Sequence, residues 1–377
     1  MKKPFVKGGK ALTLAAALLC GAAFLGSFTA FGAAAQAESQ AGAQAEAQVF
    51  TPGVAGQITS CKISGDKQNV EIGFSSSGDV TGTDGNIYVF EMQPYEEELG
   101  SRSNFIASSP ALSAASVSVP LNLGTPQDKL YSRFVLAVFD GTKFIKVSQP
   151  HYITNPELIA KNQTPFNDPL TKKGLVIEID MLSDAFDLGV KHVTTNIAFS
   201  QIMGTGIDYQ YDGKTYHFNK GVVDAYDKTI SALSNKGMTV TVILLNDWNP
   251  NTPDLVYPGT QKNSNAFYYM FNAETEAGFD QTKAIASFLA QHYSGDNPNY
   301  GKVSNWIIGN EINNQQWNYM GPMDLTNYVK AYQKAFRVIY TAIKSTNAND
   351  RVYFSLDYNW MNEIDGKLKY GGKEIVD

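Results

Sequence analysis

The run Trp306-Ile307-Ile308-Gly309-Asn310-Glu311 ends an apolar stretch in an amide and a carboxyl group side by side. A carboxyl can give or take a proton and an amide can hold a hydroxyl, so Asn310 and Glu311 are the first candidates for acid–base chemistry. Other apolar runs end in the same way. Gly174–Ile179 carries Glu178 and Asp180 at its end, and Val193–Ala198 carries Asn196. Met238–Leu245 leads into Asn246-Asp247-Trp248, and Val352–Leu356 into Asp357-Tyr358-Asn359-Trp360. Nearby Trp248, Trp317 and Trp360 offer flat apolar area with polar edges. Trp306, inside its run, belongs to the core.

These polar ends need elements that bring them together. The apolar runs suit strands buried on both faces, and between them the period becomes helical. Val222, Val223, Tyr226, Ile230 and Leu233 share one face before Gly237, and Ala284, Ile285, Phe288 and Leu289 form another stripe. Tyr328, Val329, Tyr332, Phe336, Ile339, Tyr340 and Ile343 line a third helix, ahead of the last apolar run. Met181–Leu188 reads as a helix, and Asp208–Phe218 as a polar hairpin turning at Asp212-Gly213. Repeated strand-then-helix order implies a parallel sheet with helical crossovers. A doubly wound nucleotide-binding sheet should show a glycine-rich turn after its first strand, and the sequence has neither fingerprint. A (β/α)8 barrel gathers its chemistry at the carboxyl ends of its strands, where the polar residues fall here. His192, at the start of a strand, then sits on the stability face.

Trp306–Glu311 closes the fourth strand of that count, and in this position it resembles the large clan of retaining (β/α)8 glycoside hydrolases, in which an Asn-Glu pair ends strand four. A closer resemblance is to a family of secreted bacterial proteins of unknown function (domain of unknown function 5722) that joins a small β-domain to a glycosidase-like barrel. It is carried by Pro150-His151-Tyr152-Ile153-Thr154-Asn155-Pro156, Leu188-Gly189-Val190-Lys191-His192-Val193 and Gly309-Asn310-Glu311-Ile312-Asn313, and it covers roughly residues 55 to 377. The resemblance implies that Glu311 is the general acid/base and that Asn310 holds a sugar hydroxyl. Asn246 and Asp357 would bind substrate, and Trp248, Trp317 and Trp360 would stack on sugar faces. The chemistry fits the residue types. One carboxylic acid protonates the leaving oxygen, while a second carboxylate about 5–5.5 Å away attacks the anomeric carbon in retaining enzymes. The same resemblance puts that nucleophile at the end of a seventh strand. A (β/α)8 fold takes about 250 residues, and the roughly 205 from Thr171 onward reach only a fifth strand. The barrel is therefore expected to be incomplete, a fragment without its nucleophile and inactive alone. The alternative is a non-catalytic carbohydrate-binding or cell-wall-associated protein that keeps the cleft.

The rest of the chain sets the context. Hydrophobic residues at 43% and aromatic residues at 12% of 377 supply ample core and exclude disorder as the main character. Met1–Ala37 has a basic start, an apolar run from Ala11 to Phe31 and an Ala35-Gln36-Ala37 cleavage signature, which reads as a secretory signal peptide. The expected location is extracellular or at the cell wall. Residues 38–49 read as a flexible linker and 50–155 as a β-sandwich domain with two-residue alternation at Val70, Ile72 and Phe74, leaving 156–377 for the barrel. The chain carries −6 net charge, and its first segment holds Lys2, Lys3, Lys7 and Lys10 with no acid, so the body is more acidic still. That excludes nucleic acid and, once the signal is cleaved, membrane surfaces as partners, and suits a neutral carbohydrate. Cys61 alone follows the signal, so no internal disulfide forms there. Asp84-Gly85 with Glu91 imitates the end of a calcium loop, but Val80 and Gly82 fill its early ligand positions. No cofactor or metal is expected, and the sequence leaves the oligomeric state open.

Overall fold

The computed structural model describes residues 56–77, 82–361 and 365–377. The expected signal peptide, the linker, residues 50–55 and Val80 of the calcium-loop imitation lie outside the described residues.

The β-rich part contains β1 (Gly56–Ile63), β2 (Asn69–Ser76), β3 (Asn86–Met92), β4 (Ala107–Pro110), β5 (Ala114–Pro120), β6 (Arg133–Phe139), β7 (Phe144–Lys146) and β8 (His151–Tyr152). They form two antiparallel sheets, one in the order β1-β2-β5 and one in the order β4-β3-β6-β7 with β8 on β6. Alternation makes the core. Val70, Ile72 and Phe74 are buried while Glu71 between them is exposed, and they meet Ile87, Val89, Phe134 and Leu136 of the other sheet in one cluster. Cys61 is buried in the same cluster.

The α/β part has β9 (Gly174–Val176), α1 (Leu182–Asp187), β10 (His192–Ala198), α2 (Phe199–Ile202), the hairpin β11 (Gly206–Tyr211) and β12 (Lys214–Asn219), α3 (Lys220–Ser234) and β13 (Thr239–Leu245). After these come α4 (Glu276–His292), β14 (Asn305–Ile308), α5 (Leu325–Thr346), β15 (Arg351–Tyr353) and α6 (Gly372–Val376). Five strands pair in parallel in the order β15-β14-β13-β10-β9. Spatial order equals chain order with no reversal. A doubly wound sheet must reverse at its switch point, so this is a singly wound arc.

One face of that arc is dry. Val193, Val240, Val242, Leu244, Trp306 and Ile308 are buried with Val223, Ile230, Leu233 of α3, Ile285, Leu289 of α4 and Val338, Ile339 of α5. The other face carries Thr194, Thr241, Ile243, Asn305 and Ile307, all half-buried, and exposed Asn196. Each edge strand has a single parallel neighbour among the described residues, and Val176 and Tyr353 on those edges are 69% and 43% exposed.

Three expectations change. The hairpin β11–β12 is not a polar excursion: Phe218 and Tyr216 are buried and Tyr209 and Tyr211 pack against the main core, because tertiary contact claims the aromatic rings. The strand expected over Val352–Leu356 pairs only to Tyr353, since the chain then turns its hydrogen bonds to the loop after β14. The run Val303–Ile308 joins its ladder at Asn305, Val303 N–H being spent on Tyr293 O at 3.0 Å. The described β-rich and α/β parts lie in one compact unit, bridged by Lys334 of α5 with Glu97 and by the Tyr131 and Ser287 hydroxyls at 3.3 Å.

Candidate active site

Strand β14 delivers its last ladder bond one residue past its end, where Gly309 N–H donates to Leu244 O at 2.9 Å. Gly309 then turns left-handed with φ +74°, and a Cβ there would come within 2.9 Å of the Ile312 side chain. Glu311 is left-handed too, with φ +45°. For a residue with a side chain that conformation costs about 1–3 kcal/mol and persists only where the surroundings impose it. Here they do. Glu311 N–H donates to Ser355 Oγ at 2.9 Å, Ile312 N–H to Ser355 O at 2.9 Å, and Asn314 N–H to Glu311 O at 2.8 Å.

The backbone of Glu311 is thus spent, and its carboxyl is not: it is half-buried and takes no hydrogen bond from a described residue. Burial, then the charge of Asp357, hold that carboxyl above the usual range, and Lys369 only partly offsets them. Asp357 goes the other way. Burial works to raise it, but Asn313 Nδ2 at 2.6 Å, Asn359 Nδ2 at 3.0 Å and Asn359 N–H at 2.8 Å outweigh that and keep it below the usual range. Two neighbouring carboxyls are pushed apart, one to hold a proton and one to stay an anion.

The other sequence candidates divide. Asn310 is half-buried beside Glu311, its Oδ1 accepting a long contact from Ser355 Oγ at 3.4 Å. Trp248 is half-buried and packs on Tyr269 with ring centres 5.5 Å apart. Trp317 is half-buried between the chemistry of its loop and two further rings, Phe267 at 4.7 Å and Tyr268 at 6.1 Å. Trp360 is 49% exposed, its indole so close over Gly372 that a Cβ there would meet it at 3.1 Å. Asn246 is a correction. It is 1% exposed and its Nδ2 donates to Leu255 O at 2.7 Å, so it anchors its own loop and is not open to a ligand.

Several residues were not named as site candidates, Asp247 and Asn313 being quoted only inside longer segments. Asp247, next to Asn246, is half-buried; burial raises its carboxyl although Gln201 Nε2 donates to it at 2.6 Å, and its charge acts on the Tyr268 phenol. Its place after a strand was the available signal. Phe267, Tyr268, Asn313, Ser355 and Lys369 lie in loops without periodicity. Among the described residues no group of three or more His, Cys, Asp or Glu is placed to hold a metal ion, and no helix is long and apolar enough to cross a membrane.

Comparison with known proteins gives one family. The model of a family of unknown function, DUF5722, matches residues 165–377. No curated protein matches. Solved structures similar to the chain include a family 39 glycoside hydrolase from Bacteroides cellulosilyticus WH2, at 16% identity and TM-score 0.30 over 78% of this chain and 51% of that one. A family 1 β-glucosidase from Thermotoga maritima matches at 19% identity and TM-score 0.31 over 49% of this chain and 38% of that one. The endoglucanase Cel5A from Pseudomonas stutzeri matches at 9% identity and TM-score 0.30, over 51% and 49%. The chain spans about half the length of these structures, or less.

Proposed function

The chain belongs to the family of unknown function DUF5722, and from that premise we propose that it carries the acid/base half of a retaining glycoside hydrolase site, with Glu311 as the proton donor. The observation that carries the reading is the Glu311 carboxyl: free of hydrogen bonds from the described residues, raised by burial and by Asp357, and set beside an amide at the carboxyl end of the fourth parallel strand. A group that must protonate a leaving oxygen needs this, a proton held near neutral pH on an oxygen no protein donor has claimed. Glu311 gives that proton to the glycosidic oxygen as the bond to the anomeric carbon breaks, then takes one from the water that releases the sugar.

Asp357 is a poor nucleophile. Both its oxygens accept hydrogen bonds from Asn313 and Asn359, which fixes it as a standing charge. In this reading the attacking carboxylate would come from a further strand that closes the sheet, because among the described residues the arc of five parallel strands leaves two edges unpaired. Substrate would be a carbohydrate lying over Asn310, Trp248, Trp317 and Trp360, and residues 1–37 would direct the protein out of the cell. The second reading, a silent carbohydrate binder, is favoured by the absence of another free carboxyl beside Glu311 among the described residues whose charge acts on it.

The test uses a longer form that supplies the nucleophile, carrying Glu311→Ala, with aryl glycosides in the presence of azide. Retaining enzymes without their acid/base still form the glycosyl intermediate, and azide then captures it, restoring turnover and yielding a glycosyl azide of retained configuration. Binding of saccharides with no hydrolysis by the parent chain or by a longer form would support the binder.

A further inference from the structure

We infer that Phe267, Tyr268 and Trp317 form a subsite for a sugar ring beyond the scissile bond, so that the substrate is a neutral saccharide chain and not a simple glycoside. This rests on the glycosidase reading of Glu311. Trp317 belongs to the same loop as Glu311 and is tied to it by two successive turns, Asn314 N–H to Glu311 O at 2.8 Å and Trp317 N–H to Asn314 O at 2.9 Å. Each such turn closes its ends to about 7 Å, so the Trp317 backbone lies at most about 14 Å from that of Glu311, the span of a short oligosaccharide.

The rings are fixed before any ligand arrives. Phe267 N–H donates to Gln316 O at 2.8 Å, Tyr319 N–H to Tyr268 O at 2.9 Å, and Met270 N–H to Tyr319 O at 3.0 Å. These bonds join the loop after β13 to the loop after β14, and Tyr269 N–H to Asn246 O at 2.8 Å fastens both to the end of β13. Trp317 lies tilted by 32° from the plane of Phe267 and stacks at 27° to that of Tyr268. Phe267 still keeps 42% of its surface exposed. Held rings of this kind give up little freedom when a flat apolar surface settles on them, which is how such a contact becomes affinity.

The surroundings choose the ligand. Segments 264–270 and 314–320 contain no charged residue themselves, and the charge that acts on Tyr268 is the anion Asp247, which disfavours a uronate, sulfate or phosphate there. Exposed Asn265 and Gln316 supply amides instead. Rings that take the C–H face of a pyranose, with amides for its hydroxyls, describe a neutral sugar.

The experiment is native gel electrophoresis of the chain through gels holding mixed-linkage β-glucan, xylan, mannan or arabinan. Expected is retardation in at least one gel, weakened about five- to tenfold by Phe267→Ala, the factor one aromatic contact supplies. Phe267 is the exposed ring, so that variant should fold; Trp317→Leu is the second, with near-ultraviolet circular dichroism of both compared with the parent. Binding of no polysaccharide, or undiminished binding by both folded ring variants, overturns the subsite. If Glu311→Gln hydrolyses normally while the ring variants lose retardation, the acid assignment falls and the subsite stands.

Discussion

Asn313 and Asp357 exchange hydrogen bonds in both directions: Asn313 Nδ2 donates to Asp357 Oδ1 at 2.6 Å, and Asp357 N–H donates to Asn313 Oδ1 at 2.7 Å. With the Ser355 bonds to Glu311 and Ile312, this zips segment 310–313 to segment 355–357. Glu311 stands opposite Ser355 and Asp357 opposite Asn313. The two carboxyl-bearing residues therefore sit on facing segments of one clasp, two positions apart, and the charge of Asp357 acts on the Glu311 carboxyl.

In a longer form that supplies the nucleophile, replacing Glu311 by Gln should lower turnover of unactivated glycosides by about 10²–10⁴, the range for a lost general acid. Aryl glycosides with acidic leaving groups need less protonation and should lose less. Rate ratios for the two substrate types, parent against variant, are the measurement; equal losses on both would remove Glu311 from the protonation step.

The pH profile should report Asp357. A proton donor works only while protonated, so activity falls as pH rises through the raised Glu311 value. Asp357→Asn removes a negative neighbour, lets the Glu311 carboxyl ionise more readily, and should move the alkaline limb of kcat/KM to lower pH. A limb that stays put, with the variant folded, means that burial alone sets Glu311.

Gly309→Ala should hurt both fold and activity. Its φ of +74° disfavours any side chain, and the new methyl would press on Ile312, which follows Glu311. A loss of about 1 kcal/mol or more in stability follows from the conformation alone, and turnover should drop further because the carboxyl is displaced. Denaturant unfolding and initial rates separate the two; a variant of parental stability and rate would show the turn to be slack.

Below the sheet, Asp350 is 2% exposed and accepts from Lys302 Nζ and Trp306 Nε1, each at 3.0 Å. Burial nevertheless holds its carboxyl above the usual range. Lys302→Met removes the cation bonded to that carboxylate, leaving Trp306 Nε1 and the more distant charge of Lys344, and should destabilise by up to about 3 kcal/mol at neutral pH. The sign follows from the raised value: the penalty belongs to the ionised form, so it shrinks as acid protonates Asp350. Melting curves of parent and variant across that range should converge; parallel curves would contradict the account.

The two sheet edges that have no second neighbour among the described residues should make the chain self-associate. Val176 and Phe354 are 69% and 41% exposed beside β9 and β15, and an unpaired apolar edge recruits other strands. Sedimentation velocity should find mass rising with concentration, reduced by Val176→Lys with Phe354→Lys. A monomer at every concentration would be incompatible with this.

The parallel order of the five strands was legible because strand-like apolar runs alternate with helical stripes, and Glu311 because its carboxyl directly follows one of those runs. What pairs across distance was not. Ser355 and Asn313 meet residues far off in the chain, and nothing in their local pattern says so. Asn246 shows the converse. An amide after a strand reads alike whether it faces a cleft or folds back onto Leu255, and only the course of the loop decides. Tyr209, Tyr211, Tyr216 and Phe218 alternate with polar residues, so their hairpin reads as solvated until the α4 helix covers it.

Ser355 and Asp357 follow a β15 ladder only three residues long at the rim of the sheet. Rim strands breathe before cores do. Each such excursion would withdraw the Ser355 clasp and the Asp357 charge together, so the proton affinity of Glu311 would act as a strain gauge for the rim. Heat would then silence the chemistry while Trp306 and its neighbours were still packed, with inactivation running ahead of the loss of secondary structure.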